Sequence, residues 1–206
     1  MEDVESTIIE WGVAFQALAG HVDCGDAYTI KKSENGALVA VIDGLGHGDG
    51  AAEAARVAVT ALADAASDDL FFLIRHCHQE LARTRGVVMS LAFFNTKDNT
   101  MTWLGVGNVE GYLKRSDPDT MPAHESLFPR GGVVGYQLPP LRSSFLTVKP
   151  GDTLVFTTDG ISSNFDKEID LKDSPQQIAD RIVAKCGKKT DDALALVVRY
   201  AGRVKT

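Results

Sequence analysis

Five aspartates carry most of the chemistry that this 206-residue sequence can support. In Val41-Ile42-Asp43-Gly44-Leu45-Gly46-His47-Gly48, an apolar run delivers Asp43 to a glycine-rich turn, and an alanine-rich segment follows. Leu154-Val155-Phe156-Thr157-Thr158-Asp159-Gly160 repeats the pattern, again with Asp-Gly at the end of an apolar run. Thr190-Asp191-Asp192 stands directly before a third such run, Ala193 to Val198. Asp26, in Cys24-Gly25-Asp26-Ala27-Tyr28, has a strand after it rather than before it. A single Asp-Gly is an ordinary turn. Several carboxylates at the mouths of buried strands point instead to one shared cleft.

A glycine turn ahead of a helix can hold phosphate through backbone N–H groups. Gly44, Gly46, Gly48 and Gly50 depart from the dinucleotide spacing, however, and the Asp43 carboxylate would repel an anion. The conflict disappears when a divalent cation lies between carboxylate and phosphate. Oxygen-only donors suit Mg²⁺ or Mn²⁺ better than zinc. Two such ions, roughly 3.5–4 Å apart, share a carboxylate, lower the pKa of a water and clamp a phosphoryl oxygen.

Other reactive residue types fit this picture less well. His76 and His78 point to nearly opposite faces of a helix and read as surface residues, while His21 and His124 fall in loops without partner spacing. Trp11 and Trp103 lie in apolar strands and read as core. Ser90 and Ser162 lack the context of a hydrolytic serine. Cys24, Cys77 and Cys186 show no CxxC spacing, so neither zinc nor a disulfide framework is implied. Lys185, Lys188 and Lys189 suit a helix C-terminus.

Strands are expected over Trp11–Leu18, Leu38–Ile42, Val87–Phe94, Met101–Val106, Val109–Lys114, Ser144–Val148, Thr153–Thr158 and Ala193–Tyr200, each rich in β-branched or aromatic residues. LVAVI and ALALVV are apolar on both faces and predict covered central strands. The turn-prone Asn95–Asn99 predicts a hairpin between its neighbours. A helix is expected from Gly50 to Ala66, with Glu53, Arg56, Thr60 and Asp64 as its polar stripe. A second begins at Asp69, buries Leu70, Leu73, Ile74, Cys77 and Leu81, and closes at Gly86. A third has Ser174 as N-cap, Pro175 at N1 and Gln177 completing a capping box, and it ends before Gly187. Five of the seven prolines lie between Pro118 and Pro140, which predicts an extended loop. Runs of strands with segregated helices favour α+β with antiparallel sheets.

A formal net charge of −7 disfavours nucleic acid and anionic membranes as partners. Apolar runs of six residues, such as Ala37 to Ile42, fall far short of the roughly 20 that a membrane span needs. The N-terminal MEDVESTIIE carries no secretory pattern, so a cytoplasmic location is expected.

The ordered set GDAY, VIDGLGHG, TTDGISS and TDDALALVV resembles the metal-dependent PPM-type serine/threonine phosphatases over essentially the whole chain. The DGxGHG form resembles the bacterial sporulation and stress-response branch. The chain's short length, GVGNVEG and the RGGVVG loop are similar to that branch's stressosome feedback phosphatases. The resemblance implies one domain over residues 1–206, an αββα sandwich of two antiparallel sheets flanked by helices, and two Mn²⁺ or Mg²⁺ ions at one edge. It implies that Asp43 bridges both ions, that the Gly44 carbonyl ligates one, and that Asp159 and Asp191 hold the other. Catalysis would pass from these carboxylates through metal-activated water. Asp26 would act through water and Asp192 would brace the site. The implied substrates are phosphorylated STAS-domain stressosome proteins, dephosphorylated to reset a stress response.

Two departures matter. Leu45 stands where eukaryotic relatives place a general-acid histidine, and His47 lies two positions beyond. No arginine before GDAY matches the one that grips phosphate in those relatives, and Arg130 reads as a solvated surface residue. Two other readings are a phosphoprotein-binding pseudophosphatase and a glycine-loop nucleotide-binding domain. The intact Asp43, Asp159 and Asp191 oppose the first. The antiparallel strand order and Asp43 oppose the second.

Overall fold

The computed structural model describes residues 8–18 and 24–202. The expectations for His21 and for the first seven residues lie outside that range. In chain order the elements are β1 (Ile9–Gln16), β2 (Asp26–Ser33), β3 (Gly36–Gly44), α1 (Asp49–Asp64), α2 (Leu70–Glu80), β4 (Val87–Asn95), β5 (Thr100–Val106), β6 (Glu110–Lys114), β7 (His124–Leu127), β8 (Ser144–Thr147), β9 (Thr153–Thr157), α3 (Pro175–Cys186) and β10 (Ala193–Tyr200). They form two five-stranded sheets, ordered β1-β10-β9-β6-β7 and β2-β3-β4-β5-β8. Every pairing between the named strands is antiparallel. The architecture is the αββα sandwich that the family resemblance implies.

The pleat sorts apolar residues into three layers. On β3, Leu38, Ala40 and Ile42 pack against Ala54, Ala58 and Leu62 of α1 and Leu73 and Ile74 of α2. The alternate residues Ala37, Val39 and Val41 face the other sheet, where they meet Phe156 of β9 and Leu194, Leu196 and Val198 of β10. The opposite face of β10, Ala193, Ala195 and Val197, packs with Ile178 and Ile182 of α3. Two-sided burial makes β3 and β10 apolar throughout. It also fixes their register, because a one-residue slip would send every side chain to the wrong layer.

The helix ends obey local chemistry. Asp69 accepts from the Phe71 and Phe72 N–H groups, and Ser174 with Gln177 forms the expected capping box. The second helix stops at Glu80, however. Gly86 lies beyond its cap in a positive-φ conformation (79°) and turns the chain into β4. The β4–β5 hairpin forms as expected, with Asn95 opposite Thr100.

Four expectations need correction. Trp11 is 43% exposed because β1 is an edge strand, and its ring rests on Tyr28 of the other sheet's edge strand at 5.7 Å. The Pro118–Pro140 segment is only partly a loop. It contains β7, which pairs with β6, and it returns through Val134, which is buried and bridged to Val87. His124 therefore lies in a strand, stacked on Tyr112. His78 is half-buried, and its Nδ1 accepts from the Gly135 N–H at 2.9 Å, tying α2 to the returning segment. Trp103 is core, and all three cysteines are free thiols.

Candidate metal centre

The site forms where the facing sheets end together. Asp26 opens β2 and Asp43 sits one residue from the end of β3, and the register makes them direct cross-strand partners. Directly opposite residues share a face. Tyr28 and Ile30 of β2 and Val39 and Val41 of β3 pack in the inter-sheet core, so both carboxylates stand at the rim of that core.

The second sheet brings its own acids to the same rim. The Thr158 N–H donates to the Leu194 carbonyl at 3.1 Å, which zips the end of β9 to the start of β10. Asp159 leaves β9 beside Asp191 and Asp192 as they enter β10. The two Asp-Gly pairs have a common cause in close backbone approach. A Cβ on Gly160 would lie 1.9 Å from the Asp192 carbonyl oxygen, and one on Gly44 would lie 2.1 Å from that of Ala51.

A cleft of about 430 Å³ opens at this rim, lined by Asp43, Leu45, His47, Asn108, Asp159 and Asp191 among others. Asp26 borders a neighbouring groove with Cys24, Ala27 and Tyr28. Asp192 is buried (5% exposed): its Oδ1 accepts from the Leu18 N–H and its Oδ2 from the Gly25 N–H, both at 2.7 Å. Gly25 in turn accepts from the Gly44 N–H at 3.0 Å. Asp192 thus ties the segment before β2 to the end of β3. Gly44 is buried against α1, and Arg130 is exposed beside the cleft.

Three residues to which the sequence reading gave no part in the site complete it, among them Lys188, which lies beyond the helix end at Cys186 where it was expected to act. The Thr158 hydroxyl accepts from the Leu194 N–H at 2.9 Å, so its proton is directed to Asp26 Oδ2 at 2.7 Å. Asn108 Nδ2 donates to Asp159 Oδ2 at 2.9 Å, and Lys188 Nζ donates to the Asp159 carbonyl at 2.6 Å. Thr158 adjoins Asp159 in TTDGISS and Asn108 lies within GVGNVEG, so the motifs marked their neighbourhood without revealing their partners.

The carboxylates burden one another. Burial pushes the Asp43 carboxyl up to about 8, and Asp26, Asp159, Asp191 and Asp192 reinforce the shift. Burial raises Asp26 to about 7. The Thr158 hydrogen bond opposes that rise, and Asp192, Asp159 and Asp191 add to it. Asp159 is raised by burial and by Asp191, against the pull of Lys188 and Asn108. Burial likewise drives the Cys24 thiol to about 12 and leaves it unreactive near neutrality.

Like charges gathered with Lys188 offsetting Asp159 alone call for a further cation. Among the described residues, no three acidic, thiol or imidazole side chains are gathered closely enough to hold an ion by themselves. That open arrangement fits a hard divalent ion, which keeps several waters and takes only one or two protein carboxylates. The acids at this rim offer oxygen, whereas zinc sites draw mainly on cysteine sulfur and histidine nitrogen.

An αββα sandwich with an all-oxygen acidic cleft at one edge defines the PPM class of metal-dependent phosphatases. The model for the family Stage II sporulation protein E (SpoIIE) matches residues 33–201. The chain belongs to that family of phosphatases. It is similar to phosphoserine phosphatase RsbX of Bacillus subtilis (strain 168), with 28% identity over 141 residues and 68% of each chain covered. A chain from the bacterial stressosome, described as a modular system adapted to control secondary messenger signalling, superposes with a TM-score of 0.84 at 27% identity, covering 93% of this chain and 99% of that one. RsbX solved in complex with magnesium superposes at 0.83 with 23% identity, covering 94% and 96%. No helix among the described residues is long and apolar enough to cross a membrane.

Proposed function

We propose that the chain is one phosphatase domain that removes phosphate from phosphoserine or phosphothreonine in protein substrates, using two Mn²⁺ or Mg²⁺ ions. The observation that carries this reading is the meeting of Asp43, Asp159 and Asp191 in one cleft, with Asp26 beside Asp43. The magnesium complex of RsbX supports the choice of a hard cation. The likeness to RsbX and to a stressosome chain supports phosphorylated STAS-domain stressosome proteins as substrates, and with them a cytoplasmic role in resetting the stress response.

The hydrogen bonds sort the acids by role. Asp43 is raised by all four of the other acids and would hold the metal, with the adjoining Gly44 carbonyl as an uncharged donor. Asn108 occupies one oxygen of Asp159 and leaves the other available. Thr158 does the same for Asp26. Both oxygens of Asp192 are held by backbone N–H groups, so it braces the frame. Bound divalent ions would supply an activated water near neutral pH and neutralise the phosphoryl oxygens. Leu45 and His47 line the wall of the cleft where the substrate side chain would enter.

The test is phosphate release from a phosphorylated STAS-domain protein with and without Mn²⁺. Wild-type protein should be active only with the metal, and Asp43→Asn should lose activity while keeping its circular dichroism spectrum. Full activity in excess EDTA would end the proposal. Activity on small phosphomonoesters alone would end its protein-substrate part.

A further inference from the structure

Among the described residues, the cleft wall has no cationic side chain that grips a substrate phosphate. Lys188 is engaged at the Asp159 carbonyl, and another candidate comes from the turn between α2 and β4. There the Thr84 hydroxyl donates to the Leu81 carbonyl at 2.8 Å and accepts from the Gly86 N–H at 3.0 Å. Gly86 is pinned as well, its carbonyl accepting from the Leu45 N–H at 3.1 Å. Arg85 is therefore launched from a fixed backbone toward the glycine turn that follows Asp43.

Its guanidinium lies along that turn. A Cβ added to Gly50 would stand 2.6 Å from Arg85 Nε, and one on Gly46 would stand 3.2 Å from Nη1. Gly46 and His47, the residues beside which the guanidinium rests, themselves line the cleft. The Arg85 side chain is exposed, and the hydrogen bond it makes among the described residues is a long one, Nη1 to the His47 carbonyl at 3.4 Å. It takes part in none of the ion pairs among the described residues, although Asp49 opens the adjoining helix. An arginine with most of its donors unused, set on a glycine-cleared turn at the rim of an acidic cleft, is poised for an anion.

The geometry points to Arg85 as the residue that grips the phosphate of the substrate. Its guanidinium reaches round the Gly46 turn to two terminal oxygens of a phosphomonoester seated against Asp43. This rests on the phosphatase reading above and adds a residue to it. The glycines at 46 and 50 leave the space that the arginine needs.

The experiment uses the Mn²⁺-loaded chain with a phosphoserine peptide as substrate and inorganic phosphate as a ligand that binds without turnover. Arg85→Met keeps the aliphatic stem and removes the charge. Its KM and its phosphate inhibition constant should both rise about tenfold to a hundredfold, the loss expected for a charge-assisted hydrogen bond. Arg85→Lys should recover part of the loss, since a point charge replaces the planar fork. Gly50→Ala, which crowds the guanidinium without touching its charge, should weaken phosphate binding in the same direction. The melting temperature and the Mn²⁺ requirement should match wild type in Arg85→Met. An unchanged phosphate constant in that variant would overturn the assignment. So would a joint loss of melting temperature and Mn²⁺ affinity, which would make Arg85 a brace for the turn. A wild-type protein that binds phosphate through Arg85 but hydrolyses no phosphoserine would overturn the phosphatase reading and leave the anion contact standing.

Discussion

Replacing Asp43 by Asn should make the metal-free protein more stable while it abolishes activity. Asp43 has its carboxyl pushed up to about 8 by burial and by four neighbouring carboxylates, against about 3.9 in an unfolded chain. An acid whose native pKa is raised binds its proton more tightly in the folded state. Below the unfolded value both states are protonated and nothing is lost. As pH rises from about 4 toward about 8, the native state must increasingly either hold the proton or tolerate the charge, and stability falls. The two values lie about four units apart, and by about pH 7 about three of those units have been traversed, or about 4 kcal/mol at 1.36 kcal/mol per unit. The cleft is open to water, which screens part of this, so about 2 kcal/mol is the expected gain in Asp43→Asn.

Denaturant unfolding in EDTA, at about pH 5 and about pH 8, separates this effect from ordinary packing changes. The variant should match wild type within about 1 kcal/mol at the lower pH and exceed it by about 2 kcal/mol at the higher. Added Mn²⁺ should reverse the order, since binding stabilises only the chain that retains the carboxylate. A metal-free Asp43→Asn that is less stable than wild type at both pH values would refute the argument that these carboxylates repel one another.

Three further outcomes follow from the same geometry. Metal-induced stabilisation of wild type should grow as pH rises through about 7 and about 8, the values to which Asp26 and Asp43 are pushed, because each must shed a proton to bind an ion; a metal-induced shift in melting temperature that is flat with pH would contradict this. Thr158→Val should cost about 1–3 kcal/mol through the orphaned Leu194 N–H and raise the Mn²⁺ concentration needed for activity, whereas Thr158→Ser should restore both, measured by unfolding and by metal titration. Gly160→Ala should destabilise by about 1–3 kcal/mol because its Cβ would strike the Asp192 carbonyl, while Gly131→Ala, with open space around it, should stay within about 0.5 kcal/mol on chemical denaturation.

The parts of this molecule that sequence reveals are those governed by periodicity and local chemistry. LVAVI and ALALVV could be read as central strands because both faces of β3 and β10 are buried, one toward helices and the other between the sheets. The capping box at Ser174 is equally local. Edge strands carry no such mark. Trp11 looks like core by type, yet it sits where no further strand covers it. β7 is four residues inside a proline-rich stretch, and only its partner β6 makes it a strand.

The acids divide along the same line. Their positions at strand ends could be read, but the pairing of Asp26 with Asp43 depends on a register set by the whole sheet. Asp191 and Asp192 look interchangeable in sequence. Asp191 stands at a bend and Asp192 directly before β10, and here Asp191 lines the cleft while Asp192 turns inward to the Leu18 and Gly25 N–H groups. One carboxylate is left able to meet a cation and its neighbour is consumed in holding the frame. The difference between the two is therefore a matter of backbone path rather than residue type, which explains why composition could count the acids without ranking them.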